Sequence, residues 1–113
     1  MINALIEVER IETLQGEFEV TEVASGSGAP HDLYRCSQCR VVVWSDYGRK
    51  RPIRFVRVGT LDDSSALPPN VHVWVKSKLD WVVIPEGAPQ YDEYFDVREV
   101  WPEESLARMR AAR

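Results

Sequence analysis

Polar and hydrophobic residues alternate along much of the chain, which is the pattern of β-strands with one buried face. Ala4 to Ile11 and Phe18 to Val23 both show it, and the turn residues Leu14 to Glu17 lie between them. We therefore predict two strands joined as a β-hairpin. Glycine, serine and proline at 25–30 then predict a loop, because glycine frees the backbone and proline removes a hydrogen-bond donor.

Two further strands are predicted on either side of a pair of cysteines. Asp32 to Cys36 leads into the turn 36–39, and the β-branched run Val41 to Trp44 follows it. A continuous apolar run of this kind is typical of a strand buried on both faces. Ile53 to Leu61 alternates again and is predicted as the next strand, ended by a loop rich in aspartate, serine and proline.

The last third of the chain combines strand and helix patterns. Val71 to Val75 alternates with period two, which would place His72 and Trp74 on one face. Trp81 to Pro85 is predicted as a shorter strand. After Pro102, early acidic residues and late arginines follow the polarity of the helix dipole and predict a short C-terminal helix. No repeat or long linker divides the chain, so we predict a single, mainly β domain over residues 1–113.

Composition narrows the class of protein. The 113 residues include 44% hydrophobic and 28% charged residues, which is ordinary globular usage and enough for one domain with its own core. The formal net charge is −4, whereas proteins that bind phosphates of nucleic acids usually present a basic surface, so nucleic acid is not an expected partner. The sequence has no run of about 20 apolar residues and no leader-like start, so we expect a cytoplasmic protein with no membrane partner.

The candidate chemistry lies in two cysteines, Cys36 and Cys39. A Cys-x-x-Cys turn between strands lets two thiolates converge on one metal ion, and structural zinc normally takes four ligands. His31, His72 and Asp32 are the other candidate donors. Two reduced cysteines in an ordinary turn, or a disulfide, are the alternatives. A thioredoxin-like redox pair is disfavoured, because it needs a helix after the first cysteine where this sequence predicts a strand.

A series of short motifs runs in order over nearly the whole chain. They are Cys36-Ser37-Gln38-Cys39, Val43-Trp44-Ser45, Val58-Gly59-Thr60-Leu61-Asp62-Asp63, Leu67-Pro68-Pro69, His72-Val73-Trp74, Ser77-Lys78, Trp81 and Glu99-Val100-Trp101-Pro102. Together they resemble the glutathione-dependent formaldehyde-activating enzyme (GFA) family, which is related to centromere protein V. The resemblance implies a β-tent, in which twisted antiparallel sheets meet at zinc-binding turns.

The resemblance also implies zinc as the cofactor. Family members hold a structural zinc by an early Cys-x-Cys and a late Cys-x-x-Cys, and a zinc near the active site by a middle Cys-x-Cys-x-x-Cys. Cys36 and Cys39 match the late pair, and the other ligands have no counterpart in the chain. We therefore expect an incomplete zinc site, either in a truncated member whose natural start lies upstream of Met1 or in a shortened form. Arg40 stands where the family usually has glycine, and the turn would strain it in a left-handed conformation.

The activity implied by the resemblance is that of a carbon–sulfur lyase acting on small thiol adducts such as S-hydroxymethylglutathione, although not in the chain as written. His72, Trp74, Lys78 and Trp81 match the family's His-x-Trp and Ser-Lys-x-x-Trp stretch and are the candidate substrate-binding residues. They would line an aromatic pocket for a small thiol-containing anion. In the alternative interpretation, both tryptophans are core residues and Lys78 is a loop charge.

A second hypothesis is a non-catalytic β module that acts in assembly or binding. Two chains in a homodimer would each contribute one Cys-x-x-Cys to a shared four-thiolate zinc. Substitution of His72 and Lys78 separates the two hypotheses, because a pocket predicts lost activity with unchanged folding.

Overall fold

The computed structural model describes residues 1–49 and 52–112, in two compact units formed by Met1–Leu67 and Pro68–Ala111. The elements are β1 (Asn3–Glu7), β2 (Phe18–Val23), β3 (His31–Cys36), β4 (Val42–Tyr47), β5 (Ile53–Arg57), α1 (Val97–Val100) and α2 (Glu103–Ala111), with short 3-10 helices at Val8–Arg10, Val58–Thr60 and Val75–Ser77. The predicted mainly β fold with a short C-terminal helix is confirmed. That residues 1–113 form a single domain stays a prediction.

All five strands form one antiparallel sheet in the order β1-β5-β4-β3-β2. The predicted hairpin of the first two strands is wrong, because β1 pairs with β5 and β2 pairs with β3, at opposite edges of the sheet. Residues 8–17 separate β1 from β2, and hairpin loops usually have only about 2–5 residues. This long connection leaves β1 free to find a distant partner.

The cysteine turn lies where the sequence predicts it, between two paired strands. β3 ends at Cys36 and β4 begins at Val42, and the two strands are antiparallel neighbours. The predicted burial of Val41 to Trp44 on both faces is wrong, since Val41 is 49% exposed and residues 42–44 are half-buried. Burial on both faces needs a packed layer on each face of the sheet. In the pairing of β3 with β4, the register also shifts between Tyr34 and Arg35, which interrupts the regular strand geometry.

Each face of the sheet carries its own aromatic cluster. Alternation along the paired strands places Leu5, Tyr47, Ile53 and Phe55 on one face and Phe18, Tyr34, Trp44 and Val56 on the other. On the first face, Ile53 and Phe55 are buried, and Tyr47 contacts Phe55 edge-on with ring centroids 4.7 Å apart. We call the second set, with Cys36 at its end, the cysteine face.

Pro68–Ala111 contains the two predicted strands that the structure does not form. Trp74 has a left-handed backbone with φ of 57°, and a 3-10 helix follows it, so the extended alternation from Val71 to Val75 is interrupted. His72 forms only an isolated parallel bridge with Gln90. Residues 81–85 also lack strand structure. Both predictions are wrong because a period-two pattern becomes a strand only when a neighbouring strand satisfies its backbone groups.

Candidate metal centre

The turn at Cys36–Cys39 is closed by backbone hydrogen bonds. The N–H of Arg40 donates to the carbonyl of Cys36, and the N–H of Cys36 donates to the carbonyl of Val41, both at 2.9 Å. The N–H of Ser37 donates to the carbonyl of Glu17 at 3.1 Å, which ties the turn to the segment before β2. Arg40 has φ of 65°, so the expected left-handed backbone at this position is confirmed.

The two thiols differ in their surroundings. Cys36 is half-buried, Cys39 is exposed, and both are free. The backbone N–H groups of Cys39 and Gln38, and then the thiol of Cys39, donate to the sulfur of Cys36 and hold its pKa below the usual value. Donors that converge on a sulfur favour the thiolate, which is the form that ligates metal. The surroundings of Cys36 therefore favour its ionisation, and a second sulfur lies beside it.

Two arginines lie beside the turn. The side chain of Arg40, in the turn, forms an ion pair with Glu19 of β2. A guanidinium nitrogen of Arg35 donates to the carbonyl of Arg40 at 3.3 Å. The second contact satisfies a carbonyl within the turn itself. Both contacts hold the left-handed residue in place from its side chain and from its carbonyl.

The other candidate donors in the same unit lie away from the cysteines. His31 and Asp32 begin β3 and Cys36 ends it, so a strand rise of about 3.3 Å per residue separates His31 from Cys36 by about 16 Å. The His31 ring stacks on Tyr47 at 3.9 Å, and Asp32 accepts two hydrogen bonds of 2.7 Å from Arg49. Within residues 1–49 and 52–112, no three or more His, Cys, Asp or Glu side chains are grouped to hold a metal. The donor set fits zinc as two of its four ligands.

The four predicted substrate-binding residues all belong to the unit Pro68–Ala111. The backbone N–H of His72 donates to Pro89 and that of Trp74 to Glu93. The ammonium of Lys78 donates to the carbonyls of Leu79 at 3.3 Å and Val82 at 2.9 Å, within its own loop.

The two tryptophans of this set are placed differently from each other. Trp81 is 77% exposed, so its interpretation as a core residue is wrong, whereas Trp74 is half-buried. The cation over the Trp74 ring is Lys76, at 5.4 Å, and not Lys78. Substrate binding by His72, Trp74, Lys78 and Trp81 stays a prediction.

The sequence interpretation missed the residues that surround Cys36 in the sheet. Phe18 lies directly opposite Cys36 in the β2–β3 pair, and its ring centroid is 4.4 Å from that of Trp44. Tyr34 packs on Trp44 at 5.7 Å. The sequence signal for this cluster is the alternation of side chains along each strand. It identifies the cluster only when the register between the strands is known, because the register decides which residues share a face.

The comparisons with known proteins agree with the motif pattern. The family model for the glutathione-dependent formaldehyde-activating enzyme matches residues 1–77, which include all five strands and the cysteine turn. Searches of curated proteins and of solved structures each found no match. Among the described residues, no helix is both long and apolar enough to cross a membrane. With more than half of its length matched, the chain belongs to the glutathione-dependent formaldehyde-activating enzyme family.

Proposed function

We propose that this GFA-family chain binds zinc and that Cys36 and Cys39 supply two of the four thiolate ligands of a structural site. The observation that carries the proposal is the closed turn with two free cysteines, in which the N–H of Arg40 donates to the carbonyl of Cys36 and the N–H of Cys36 donates to the carbonyl of Val41. The lowered pKa of the Cys36 thiol, caused by the N–H groups of Cys39 and Gln38, supports it. Donors beside a sulfur favour its thiolate form, and zinc accepts thiolates in a tetrahedral arrangement. The left-handed Arg40 lets the turn close behind the two sulfurs.

A second copy of the chain is the proposed source of the missing ligands. The described residues of one chain provide no third donor near the turn. Cys39 is exposed, so two turns related by a two-fold axis can bring four sulfurs together. Bound zinc would then supply a tetrahedral cross-link between two sheets. Cys36 and Cys39 would hold the ion, and the N–H groups behind Cys36 would fix one sulfur in each chain.

The proposed activity of the family site is that of a carbon–sulfur lyase on small thiol adducts such as S-hydroxymethylglutathione. His72, Trp74, Lys78 and Trp81 are the residues proposed to bind the thiol-containing molecule. Catalysis needs a zinc with an open coordination position, and a four-thiolate site is closed. We therefore propose that two copies of the chain form a zinc-linked, non-catalytic β module, which the incomplete donor set among the described residues of one chain favours.

Zinc content and native mass of the reduced, zinc-reconstituted protein test this proposal. The expected result is one zinc per dimer, with zinc and dimer lost together in both Cys36→Ser and Cys39→Ser. Ser37→Ala is the matched control, because it changes the same turn without removing a sulfur, and it should keep both. A folded, monomeric wild-type protein that binds no zinc would overturn the proposal.

An activity assay separates the module from an enzyme. The zinc-loaded protein, supplied with glutathione and formaldehyde, is expected to form S-hydroxymethylglutathione no faster than buffer does. Turnover that is lost in His72→Gln and Lys78→Ala, while both variants keep the wild-type circular dichroism spectrum, would instead establish the enzymatic function and its pocket.

A further inference from the structure

The cysteine face contains a groove that the zinc site does not use. Its volume is about 210 Å³, and its lining comes from the segment after β1 and from β3, β4 and β5. Its lining residues are Val8, Ile11, Thr13, Tyr34, Trp44 and Arg54. Two aliphatic side chains, one threonine, two aromatic rings and one guanidinium form its walls, and none of these residues is acidic.

Contacts behind the groove hold its aromatic wall in place. The Trp44 ring packs on Phe18 at 4.4 Å and on Tyr34 at 5.7 Å. The guanidinium of Arg54 lies over the Tyr34 ring, 5.8 Å from its centroid, and donates to the carbonyl of Ile53 at 3.2 Å. A ligand would therefore meet rings that are already ordered, which lowers the entropy cost of binding.

Arg54 is the only charged residue among the described residues that line the groove. Arg54 forms an ion pair with Asp46 at 3.2 Å, but the Arg54 side chain is 20% exposed and that of Asp46 only 7%. The carboxylate thus lies deeper than the guanidinium that reaches the groove. An anionic group on a ligand complements this lining, since guanidinium binds carboxylates with strong, charge-assisted hydrogen bonds.

Size restricts the ligand further, and a buried indole N–H can report its binding. An engineered cavity of roughly 150 Å³ holds benzene. A groove of about 210 Å³ therefore has room for one ring with a small substituent. The indole N–H of Trp44 is buried and has no hydrogen-bond acceptor. Because this N–H is shielded from solvent, it would report a ligand through the indole ring and not by binding it directly.

We propose that this groove binds a small aromatic carboxylate, with its ring against Tyr34 and Trp44 and its carboxylate towards Arg54. Flat rings gain from offset or tilted contact with aromatic walls, which adds to the burial of apolar surface. The site is independent of the cysteines and of zinc, so it extends beyond the function proposed above.

Titration of the ¹⁵N-labelled, zinc-free protein with benzoate tests the proposal, followed through the indole N–H signal of Trp44. Trp44→Phe assigns that signal among the four tryptophans. Benzoate is expected to shift it in a saturable way. Benzyl alcohol, which keeps the ring but lacks the charge, should bind about tenfold more weakly. No saturable shift with benzoate, or equal affinity for both probes, would overturn the proposal.

Ile11→Trp and Leu14→Trp form a matched pair that locates the site. Ile11 lines the groove, whereas Leu14 is 86% exposed and does not. The new ring at position 11 fills the groove and should reduce benzoate affinity at least about tenfold, while Leu14→Trp should bind as wild type does. Unchanged binding in Ile11→Trp, or equal losses in both folded variants, would place the benzoate elsewhere and overturn the assignment.

Discussion

Arg40 shows how a single residue can be kept in an unfavourable conformation by its neighbours. Its φ of 65° lies in the left-handed region, which costs a non-glycine residue about 1–2 kcal/mol. The side chain pairs with Glu19, and the carbonyl accepts from Arg35. An exposed ion pair contributes only about 0–1 kcal/mol, so it does not offset the whole cost.

The prediction at this position compares two variants that both lose the side chain. Arg40→Gly relieves the left-handed backbone and Arg40→Ala does not, so the glycine variant should be more stable by about 1 kcal/mol. Urea unfolding followed by tryptophan fluorescence measures the difference. Equal stability of the two variants would show that the turn does not strain residue 40.

His31 is the second residue with a measurable consequence, because its ring is buried and carries an unpaired nitrogen. It is 8% exposed and its Nε2 has no hydrogen-bond partner. Burial lowers the pKa of His31 from the ordinary value of 6.5, and the charge of Arg57 lowers it further, while Asp32 opposes the shift. The folded protein therefore binds a proton at this ring less readily than the unfolded chain does.

The linkage between this pKa and folding sets the direction of a pH effect. Since the folded-state pKa is depressed, the neutral ring's contribution to stability is complete above about pH 6.5 and falls as the pH drops towards the folded-state pKa. His31→Phe keeps a ring against Tyr47 and should flatten the decline in unfolding free energy between about pH 7 and pH 5. His72→Gln is the control, and if it flattens the profile as much as His31→Phe does, the assignment is wrong.

At the scale of a strand, Ser45 is a buried polar residue within β4. It lies in the interior of β4, between β3 and β5, and is 0% exposed. Its hydroxyl has no hydrogen-bond partner. A buried polar group left unpaired costs about 1–3 kcal/mol. We therefore expect this hydroxyl to lower the stability of the sheet.

Ser45→Ala should raise the unfolding free energy by about 1 kcal/mol, because it removes the unpaired hydroxyl and only a small volume. Ser64→Ala, in an exposed loop, should change it by less than about 0.5 kcal/mol. Thermal and urea unfolding measure both variants. Destabilisation by Ser45→Ala would mean that the hydroxyl has a partner in solution.

At the scale of the whole molecule, burial is concentrated in one part of the chain. Among the described residues, every buried side chain lies between Glu7 and Val58, and none lies in Pro68–Ala111. The sheet therefore contributes most of the apolar burial, and the second unit depends on half-buried contacts such as the rings of Tyr91 and Phe95 at 5.7 Å. Few buried contacts lower the free energy of local opening.

Hydrogen exchange measured by mass spectrometry should reflect this difference. Amides of β3, β4 and β5 are expected to exchange slowest, and those of residues 68–112 to exchange faster, because local opening there exposes little buried surface. Slower exchange in residues 68–112 than in β4 would contradict this distribution of stability.

The local sequence pattern determined the features that depend on neighbouring residues. β2 has the predicted bounds Phe18–Val23, the cysteine turn lies between two strands, and a helix begins after Pro102. The family motifs were equally readable, because they are short runs in a fixed order. Backbone preference, side-chain alternation and helix polarity act over a few residues, so the sequence alone reports them.

Only the tertiary structure decided which segments meet. β1 pairs with β5 and not with β2, Trp74 takes a left-handed backbone in place of a strand, and His31 lies at the far end of β3 from the cysteines. The groove beside Trp44 combines residues from four separate segments of the chain. Strand pairing and register depend on contacts between distant residues, and a period-two pattern is the same whichever partner satisfies its hydrogen bonds.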